Sequence, residues 1–325
     1  MGKPINVVIQ GATNISDVPG LHAFDDGVRF HCAANADQLQ HLLPSAQVLL
    51  GWNFQSVQLA QAWSDARQLQ WIHWSGAGVD ALLFPELIDS DVVVTNARGI
   101  FDVPMAEYTL GLILAMAKGF VQTFADQQQQ QWNHRTAQSL QGRQVLIVGV
   151  GSIGRSIARM LKAVGMQVRG VGRTARAGDT DFGNVHAVDE LDGQLPLADY
   201  VVLITPLTQH TRGLFDAARF ARMREDACFI NLGRGALIDD EGALVDALRN
   251  NTIAGAALDV FQHEPLPKDS PLWHTPNLIV SPHMSGDLHD FETLVADQFI
   301  DNLRRFCCGD ELLNVVDKRL GFVAG

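Results

Sequence analysis

A strand–turn–helix segment at residues 144–163 constrains the fold of this chain more than any other feature. An apolar run of strand length occupies residues 145–148, and residues 155–163 have the periodicity of a helix with one apolar face. Three glycines lie between them: Gly149, Gly151 and Gly154. In such a turn the glycines permit a sharp bend, close approach of the backbone to a pyrophosphate, and tight packing of helix on strand. The segment therefore predicts a dinucleotide-binding site whose phosphates meet the helix N-terminus at Ser152 and Ile153.

The residues after the second strand of this unit, at residues 167–171, indicate which dinucleotide binds. NAD-binding units usually carry Asp or Glu there to accept hydrogen bonds from the adenosine ribose, whereas this chain has no carboxylate before Asp179. Arg173 and Arg176 can hold a 2′-phosphate through charge-assisted hydrogen bonds, with Thr174 as a further donor. The alternative interpretation is a solvated loop with two unrelated arginines. We therefore predict NADP(H) as the preferred cofactor and keep NAD(H) as the alternative.

The overall composition excludes several classes of protein. A chain of 325 residues exceeds what one core usually holds, so two domains are expected. The net charge of −12, with no basic cluster, argues against a nucleic-acid or anionic-membrane partner. The longest apolar segment, residues 108–117, is too short to span a bilayer, and no signal peptide is recognisable. The four cysteines show no C-x-x-C pair and no histidine at metal-binding spacing. We expect a cytoplasmic enzyme with reduced thiols and no metal site.

The order of apolar runs predicts two α/β units. Before residue 97, strand-like runs alternate with helical patterns, which is typical of a mostly parallel sheet covered on both faces. The predicted strands are residues 5–9, 28–32, 48–51, 71–74 and 92–95, and the predicted helices are residues 37–43, 56–63 and 79–87. A long helix at residues 105–120 then leads into the second unit. Its later strands are predicted at residues 200–204, 228–231, 255–258 and 278–280.

One loop of the first unit has the composition of an anion site. Gly76, Ala77 and Gly78 follow the strand at residues 71–74 and open a predicted helix. Consecutive small residues in this position can form a nest of backbone N–H groups that binds a substrate carboxylate. Spacing alone favours the plainer interpretation, which is a tight turn.

Polar residues follow the strands of the second unit at the points where those strands end. They are Thr205 and Pro206, Arg234, Asp259, Glu264 and His283. Each has a structural alternative: Arg234 as an ion-pair partner, Glu264 as a turn carboxylate, Asp259 as a helix cap. Ligands of open α/β sheets bind outside the carboxyl ends of the strands, so these side chains should converge on one crevice. Together they supply a cation for a carboxylate, a histidine for proton transfer and a carboxylate to orient it, as in a nicotinamide-dependent oxidoreductase.

Seven sequence blocks occur in a specific order along the chain. They are Ser-Gly-Ala-Gly-Val-Asp at 75–80, Met-Ala-Glu-Tyr at 105–108, Gly-Val-Gly-Ser-Ile-Gly at 149–154, Thr-Pro-Leu-Thr at 205–208, Asn-Leu-Gly-Arg-Gly at 231–235, Leu-Asp-Val-Phe-Gln-His-Glu-Pro-Leu-Pro at 258–267, and Ser-Pro-His at 281–283. Over nearly its whole length the chain thereby resembles the D-isomer-specific 2-hydroxyacid dehydrogenase family. The arginine-bearing second strand resembles the glyoxylate/hydroxypyruvate reductase branch, which favours NADPH.

The resemblance implies an α/β architecture of two doubly wound parallel-sheet domains. Residues 97–289 would form a Rossmann dinucleotide-binding domain. Residues 1–96, completed by residues 290–325, would form a discontinuous flavodoxin-like substrate domain. Dimerisation through the cofactor domain is usual in this family, so a homodimer is expected.

The resemblance also implies roles for individual residues. Arg234, Glu264 and His283 would be the catalytic set, and Asp259 would face the nicotinamide. Gly76, Ala77 and Gly78, together with Arg234, would bind the substrate carboxylate. The implied activity is reduction of a small 2-oxo acid to its (R)-2-hydroxy acid, with His283 as general acid. The alternatives are an NAD-dependent dehydrogenase of a larger 2-hydroxy acid and a non-enzymatic dinucleotide-sensing protein.

The residues after His283 limit the transfer of roles from the family. After His283 the family usually has small residues and threonine, whereas this chain continues with residues 284–287, and Asp287 and His289 add polarity there. Three aromatic residues are candidates for the walls of the substrate pocket, although aromatic side chains belong more often to a core. They are Trp52, Phe101 and Trp132.

Overall fold

The chain forms two compact α/β units. A computed structural model describes residues 4–24, 27–54 and 56–323. The first unit comprises Met1–Phe101 and Leu288–Gly325, and the second comprises Asp102–Asp287. The boundaries expected from the sequence, at 96/97 and 289/290, lie a few residues away from these, because helix α4 begins at Asp102.

The first unit is built on a five-stranded sheet. Its strands are β1 (Ile5–Gln10), β2 (Val28–Ala33), β3 (Val48–Gly51), β4 (Trp71–Trp74) and β5 (Val93–Asn96). They pair in parallel in the order β2-β1-β3-β4-β5, which is the flavodoxin-like order expected from the resemblance. Strands β3 and β4 are buried along their whole length, in agreement with their continuous apolar sequences.

Helices cover both faces of this sheet. They are α1 (Ala36–Leu42), α2 (Gln58–Ala62), α3 (Pro85–Ile88) and the C-terminal α10 (Phe291–Cys308). Phe299 of α10 stacks on Trp71 of β4 with ring centroids 5.4 Å apart. The C-terminal segment therefore contributes to the hydrophobic core of the first unit.

The predicted helix at residues 79–87 is wrong for most of its length. Residues 80–82 form a turn, residues 83 and 84 are irregular, and only Pro85–Ile88 is helical. Phe84 has an extended backbone with φ −129° and ψ 161°, because a residue that precedes proline is disfavoured in the helical region.

The second unit is built on an eight-stranded sheet. Its strands are β6 (Gln144–Val148), β7 (Gln167–Gly172), β8 (Arg176–Asp179), β9 (Gly183–Ala187), β10 (Tyr200–Leu203), β11 (Cys228–Asn231), β12 (Gly255–Leu258) and β13 (Leu278–Val280). The sheet order is β13-β12-β11-β10-β6-β7-β9-β8. Strand order reverses between β6 and β10, which is where a doubly wound sheet binds its ligand. Among the described strands, only β8 and β9 pair in an antiparallel direction.

The helices of the second unit are α4 (Asp102–Ala117), α5 (Phe120–Gln128), α6 (Ser152–Ala163), α7 (Leu191–Gln194), α8 (Ala217–Phe220) and α9 (Glu241–Arg249). The single helix predicted at residues 105–120 is therefore divided. Gly119 adopts a left-handed conformation with φ 63°, which glycine tolerates without steric penalty, and α5 begins after it.

Within the described residues, no single helix is long and apolar enough to cross a membrane. Only α4 and α5 taken together pass on length and composition, and they are bent by 62° at their junction.

Candidate active site

The glycine-rich turn brings three neighbouring strands close together at their carboxyl ends. Gly149 follows β6 with φ 118°, and a Cβ atom there would lie 2.6 Å from the carbonyl oxygen of Ile204. A Cβ atom on Gly154 would lie 1.9 Å from the carbonyl oxygen of Gly149. A Cβ atom on Gly233, after β11, would lie 3.0 Å from the carbonyl oxygen of Thr205. Glycine is required at these positions because the backbones touch.

The N-terminus of α6 fits a dinucleotide pyrophosphate. In the described part of the chain, the backbone N–H groups of Ser152, Ile153 and Gly154 have no hydrogen-bond partner, as expected in a first helical turn. A Cβ atom on Gly151 would meet no protein atom within 4 Å. The turn thus combines unpaired donors with open space, which is what an anionic phosphate group needs.

The two predicted phosphate-binding arginines lie after β7, but only one of them belongs to a loop. Arg173 and Thr174 are exposed, whereas Arg176 begins β8, a strand that the sequence analysis did not predict. The Arg176 Nε donates to an Oδ2 of Asp179 at 2.9 Å. Asp179 also accepts two bonds from Arg155 of α6, at 3.0 and 2.7 Å. Those guanidinium groups, Arg155 above all, hold the pKa of the Asp179 carboxyl well below its usual range.

Arg234 is positioned by a loop that buried Asn231 organises. The Asn231 Nδ2 donates to the carbonyl oxygen of Arg234 at 2.9 Å, and its Oδ1 accepts from the backbone of Gly233 at 3.1 Å. A Cβ atom on Gly235 would lie 1.9 Å from the carbonyl carbon of Phe261. The loop after β11 is therefore packed against the segment after β12 that carries Glu264.

His283 and Glu264 form a hydrogen-bonded pair. The His283 Nδ1 lies 2.7 Å from the Glu264 Oε2, and about a quarter of each side chain is exposed. The Glu264 Oε1 accepts from the backbone N–H of Phe261 at 2.9 Å. Burial acts to raise the pKa of Glu264, but the bonds from His283 and Phe261 outweigh it and the pKa is lowered. Glu264 is thus a carboxylate at neutral pH, so Nδ1 carries a hydrogen and Nε2 is the nitrogen left to exchange a proton.

Asp259 binds the segment that carries His283. Its side chain is completely buried. The Oδ1 accepts from the Ser281 hydroxyl at 2.6 Å and from the backbone of Met284 at 3.0 Å, and the Oδ2 accepts from the backbone of Ser285 at 2.9 Å. Three hydrogen bonds from its own chain therefore hold this carboxylate, and only one of them is accepted by Oδ2.

In the first unit, the loop after β4 leaves two consecutive backbone N–H groups without a partner among the described residues. The carbonyl oxygen of Gly76 accepts from the backbone N–H of Ala97 at 3.2 Å, and that of Ala77 accepts from the Asn96 Nδ2 at 2.6 Å. In a trans peptide the N–H points opposite to the C=O, so the amides of Ala77 and Gly78 face the other way. Neither amide has a partner within residues 4–24, 27–54 and 56–323.

Asp287 and His289, which depart from the family pattern, belong to different units. Asp287 lies in the second unit close enough to His283 for their charges to interact. Desolvation raises the pKa of the Asp287 carboxyl, and His283 acts in the opposite direction. His289 is an exposed residue of the first unit. Trp132 is 98% exposed, so the idea that it walls a pocket within its own chain is wrong.

Comparison with known proteins identifies the family. Residues 110–285 match the family described as "D-isomer specific 2-hydroxyacid dehydrogenase, NAD binding domain". The chain belongs to this family. It is an NAD(P)-dependent oxidoreductase of the D-2-hydroxyacid dehydrogenase type, and its second unit is the dinucleotide-binding domain.

Relatives of known name support this assignment. Glyoxylate/hydroxypyruvate reductase B of Klebsiella pneumoniae is 34% identical over 65% of this chain and 67% of its own. Glyoxylate reductase of Thermofilum pendens is 31% identical over 80% of this chain and 78% of its own. A D-isomer specific 2-hydroxyacid dehydrogenase from Xanthobacter autotrophicus Py2, solved in complex with NADPH and MES, is 32% identical. Its TM-score is 0.82 over 98% of this chain and 100% of its own.

Several residues that support the site were missed by the sequence analysis. Asn231, Ser281 and Asp179 lie beside predicted residues, and Tyr108 of helix α4 lies close to Ser281. The signal for the first two was a polar residue inside an apolar strand end. Contact between Tyr108 and Ser281 has no sequence signal, because the two residues are distant in the chain.

Proposed function

We propose that this dehydrogenase reduces a small 2-oxo acid of the glyoxylate or hydroxypyruvate type to its (R)-2-hydroxy acid with NADPH. The observation that carries the proposal is the 2.7 Å bond between the His283 Nδ1 and the Glu264 Oε2. It leaves a histidine poised to deliver a proton, in the same unit as Arg234 and the glycine-rich turn. The nicotinamide supplies the hydride when it is bound.

The residues of the proposed catalytic set then have distinct roles in the reaction. The Nε2 of His283 donates a proton to the carbonyl oxygen, a contribution of roughly 10²- to 10⁴-fold in general acid catalysis. Glu264 orients the ring and stabilises the imidazolium. Arg234 binds the substrate carboxylate through its planar guanidinium. The amides of Ala77 and Gly78 in the first unit are suited to an anionic group.

The preference for NADPH is supported by the surroundings of Asp179. Arg155 and Arg176 already occupy this carboxylate, so it is not available to accept hydrogen bonds from ribose hydroxyls, as an NAD-specific acidic residue would be. Arg173 and Thr174 are exposed between β7 and β8. A 2′-phosphate would find cationic and hydroxyl donors here.

The proposal is tested by initial rates with glyoxylate, hydroxypyruvate, pyruvate and phenylpyruvate, each with NADPH and NADH. We expect the highest kcat/KM with NADPH as cofactor and glyoxylate or hydroxypyruvate as substrate. Replacement of both Arg173 and Arg176 by Gln should raise the KM for NADPH at least about tenfold and leave that for NADH unchanged. The control is Arg249→Gln, on the exposed last turn of α9. Equal efficiency with NADH would refute the cofactor preference, and tight NADPH binding without turnover would favour the dinucleotide-sensing alternative.

We also propose that the enzyme is a homodimer. Helix α5 exposes three large apolar side chains, Phe120, Val121 and Phe124, and Trp132 follows in the next segment. Contiguous apolar surface of this kind usually marks a protein–protein contact.

A further inference from the structure

Arg176 lies at the end of the sheet where an adenosine ribose binds. In a dinucleotide-binding unit the ribose lies beyond the carboxyl end of the second strand, which is β7 here. Strand β9 runs parallel to β7, with Val185 opposite Gly170. Strand β8 runs antiparallel to β9 and begins with Arg176 opposite Val185. The first residue of β8 therefore lies near the carboxyl end of β7, although β8 forms the edge of the sheet.

The Arg176 side chain is held at its Nε, which donates to the Asp179 Oδ2 at 2.9 Å. In the part of the chain that the structure describes, neither terminal nitrogen of this guanidinium forms a hydrogen bond. Of the side chain, 40% is exposed. A guanidinium carries five N–H donors in a planar fork. The bond at Nε uses one of them, so a phosphate group can accept from the other four.

The Asp179 carboxylate is itself fixed by several other groups. Only 4% of its side chain is exposed. Its Oδ1 and Oδ2 accept from the two terminal nitrogens of Arg155 at 3.0 and 2.7 Å. The Oδ1 also accepts from the backbone N–H groups of Asp181 and Phe182 at 3.0 and 3.2 Å. Because Arg155 belongs to α6 and follows the glycine-rich turn, the carboxylate connects Arg176 to the helix that is expected to bind the pyrophosphate.

The surroundings of this carboxylate are cationic, although the chain as a whole has a net charge of −12. The Asp181 Oδ2 accepts from Arg155 at 2.9 Å and from Arg159 at 3.3 Å. The Lys162 Nζ donates to the backbone carbonyl oxygen of Asp181. Together with Arg176, these cations outnumber the two carboxylates. A local positive charge at this place favours a phosphate group over a neutral hydroxyl.

We propose that Asp179 is a positioning residue that gives the cofactor site its preference for a 2′-phosphate. By accepting from Nε it fixes the plane of the Arg176 guanidinium, so that the terminal nitrogens are ordered before the cofactor binds. The inference rests on the proposed preference for NADPH and deepens it, because it assigns the preference to a preorganised arginine and not to positive charge alone.

The test measures binding of adenosine 2′,5′-bisphosphate and of AMP by isothermal titration calorimetry, since these two probes differ only in the 2′-phosphate. Asp179→Asn keeps one acceptor oxygen but turns an NH₂ group toward one of the two arginines. We expect its affinity for the bisphosphate to fall about 3- to 10-fold, because a long side chain must then be ordered on binding. Its affinity for AMP should stay within about twofold of wild type. The sign is informative, since loss of a negative charge would by Coulomb attraction alone strengthen phosphate binding.

Two further variants control for charge. Asp181→Asn is the matched control, because Asp181 lies in the same cluster and its side chain accepts from Arg155 and Arg159. Its affinity for the bisphosphate should equal or exceed that of wild type. Arg176→Lys keeps the positive charge without the planar fork, so it should lose about 3- to 10-fold in affinity for the bisphosphate. A variant with both Asp179→Asn and Arg176→Lys should bind no more weakly than Arg176→Lys alone, as expected for residues that act through one contact.

The outcomes discriminate between the possible roles of Asp179. Tighter or unchanged binding of the bisphosphate by Asp179→Asn would overturn the inference, and tighter binding would show that the carboxylate withholds Arg176 from the phosphate. Equal losses for the bisphosphate and AMP would also overturn it, because they would indicate general damage to the site. If Asp179→Asn does not fold, wild-type affinity of Arg176→Lys for the bisphosphate would count against the positioning role. A wild-type protein that binds the bisphosphate no more tightly than AMP would instead refute the proposed preference for NADPH itself.

Discussion

Replacement of Glu264 by Gln isolates the contribution of its charge to the reaction. The bond between the His283 Nδ1 and the Glu264 Oε2 is 2.7 Å long, and hydrogen bonds to charged groups are worth about 1.5–3 kcal/mol. About a quarter of each side chain is exposed, so solvent screening favours the lower part of this range, about 1.5–2 kcal/mol. Because 1.36 kcal/mol corresponds to a tenfold change in rate, kcat should fall roughly 10- to 30-fold at neutral pH.

The same bond predicts a pH dependence with a definite sign. The pKa of Glu264 is lowered from its ordinary value of 4.5, since its hydrogen bonds from His283 and Phe261 outweigh the opposing effect of burial. A depressed pKa means that the stabilisation is fully present above pH 4.5 and is lost as the pH falls through the folded-state pKa. On the acid side, the decline of wild-type kcat/KM that is due to Glu264 should therefore appear only below about pH 4.5, whereas Glu264→Gln should show no decline attributable to this group.

The assay is initial-rate kinetics with saturating NADPH between about pH 4 and 8, with circular dichroism at each pH to separate unfolding from loss of catalysis. His283→Asn gives the scale, because removal of the general acid should cost roughly 10²- to 10⁴-fold. A Glu264→Gln enzyme within twofold of wild type at neutral pH would refute the reasoning. So would a loss as large as that of His283→Asn, because it would assign the proton transfer itself to Glu264.

Three further changes test other parts of the structure. Gly154→Ala should lower the free energy of unfolding by about 1–3 kcal/mol through overpacking against Gly149. Gly151→Ala should have the melting temperature of wild type but a lower affinity for NADPH. Equal melting temperatures of the two variants would contradict the close approach of residues 149 and 154. Lys318→Met should lower the free energy of unfolding, measured by denaturant titration, by about 1–2 kcal/mol. The reason is that the Lys318 Nζ donates to backbone carbonyl groups in α3 and between α3 and β5. The control Arg319→Met should have no measurable effect in the same titration. Phe124→Glu should convert the expected dimer to a monomer in light scattering with activity per site largely retained, and a wild-type protein that is already monomeric would disprove the dimer.

The sequence by itself determined the fold class and the order of the strands along the chain. It also determined which polar residues follow the strand ends. The pattern of residues 144–154 was sufficient for the dinucleotide-binding turn, because glycines at fixed offsets after an apolar strand have few other uses. The strands at residues 48–51, 71–74, 228–231, 255–258 and 278–280 are observed at the predicted bounds. Buried parallel strands are short, continuous apolar runs, and such runs can be read locally.

The local sequence pattern predicted the wrong secondary structure where a distant contact or a single residue determined the backbone conformation. The apolar periodicity of residues 79–87 resembled a helix, but Pro85 extended the residue before it. The hairpin of β8 and β9 carries little apolar sequence, because β8 lies at the edge of the sheet and is mostly exposed. The hydrogen bond from Arg176 to Asp179, which both lie in β8, was therefore not predicted.

The tertiary structure alone decided which polar residues act on one another. Glu264 and His283 are 19 residues apart, and their contact at 2.7 Å depends on β12 and β13 being neighbours in the sheet. The sequence does not show that Ser281, Met284 and Ser285 donate to the Asp259 carboxylate; the packing of residues 281–285 over it decides this. A sequence specifies which groups are present at strand ends, but the direction of a side chain and the identity of its hydrogen-bond partners are set by contacts between distant segments.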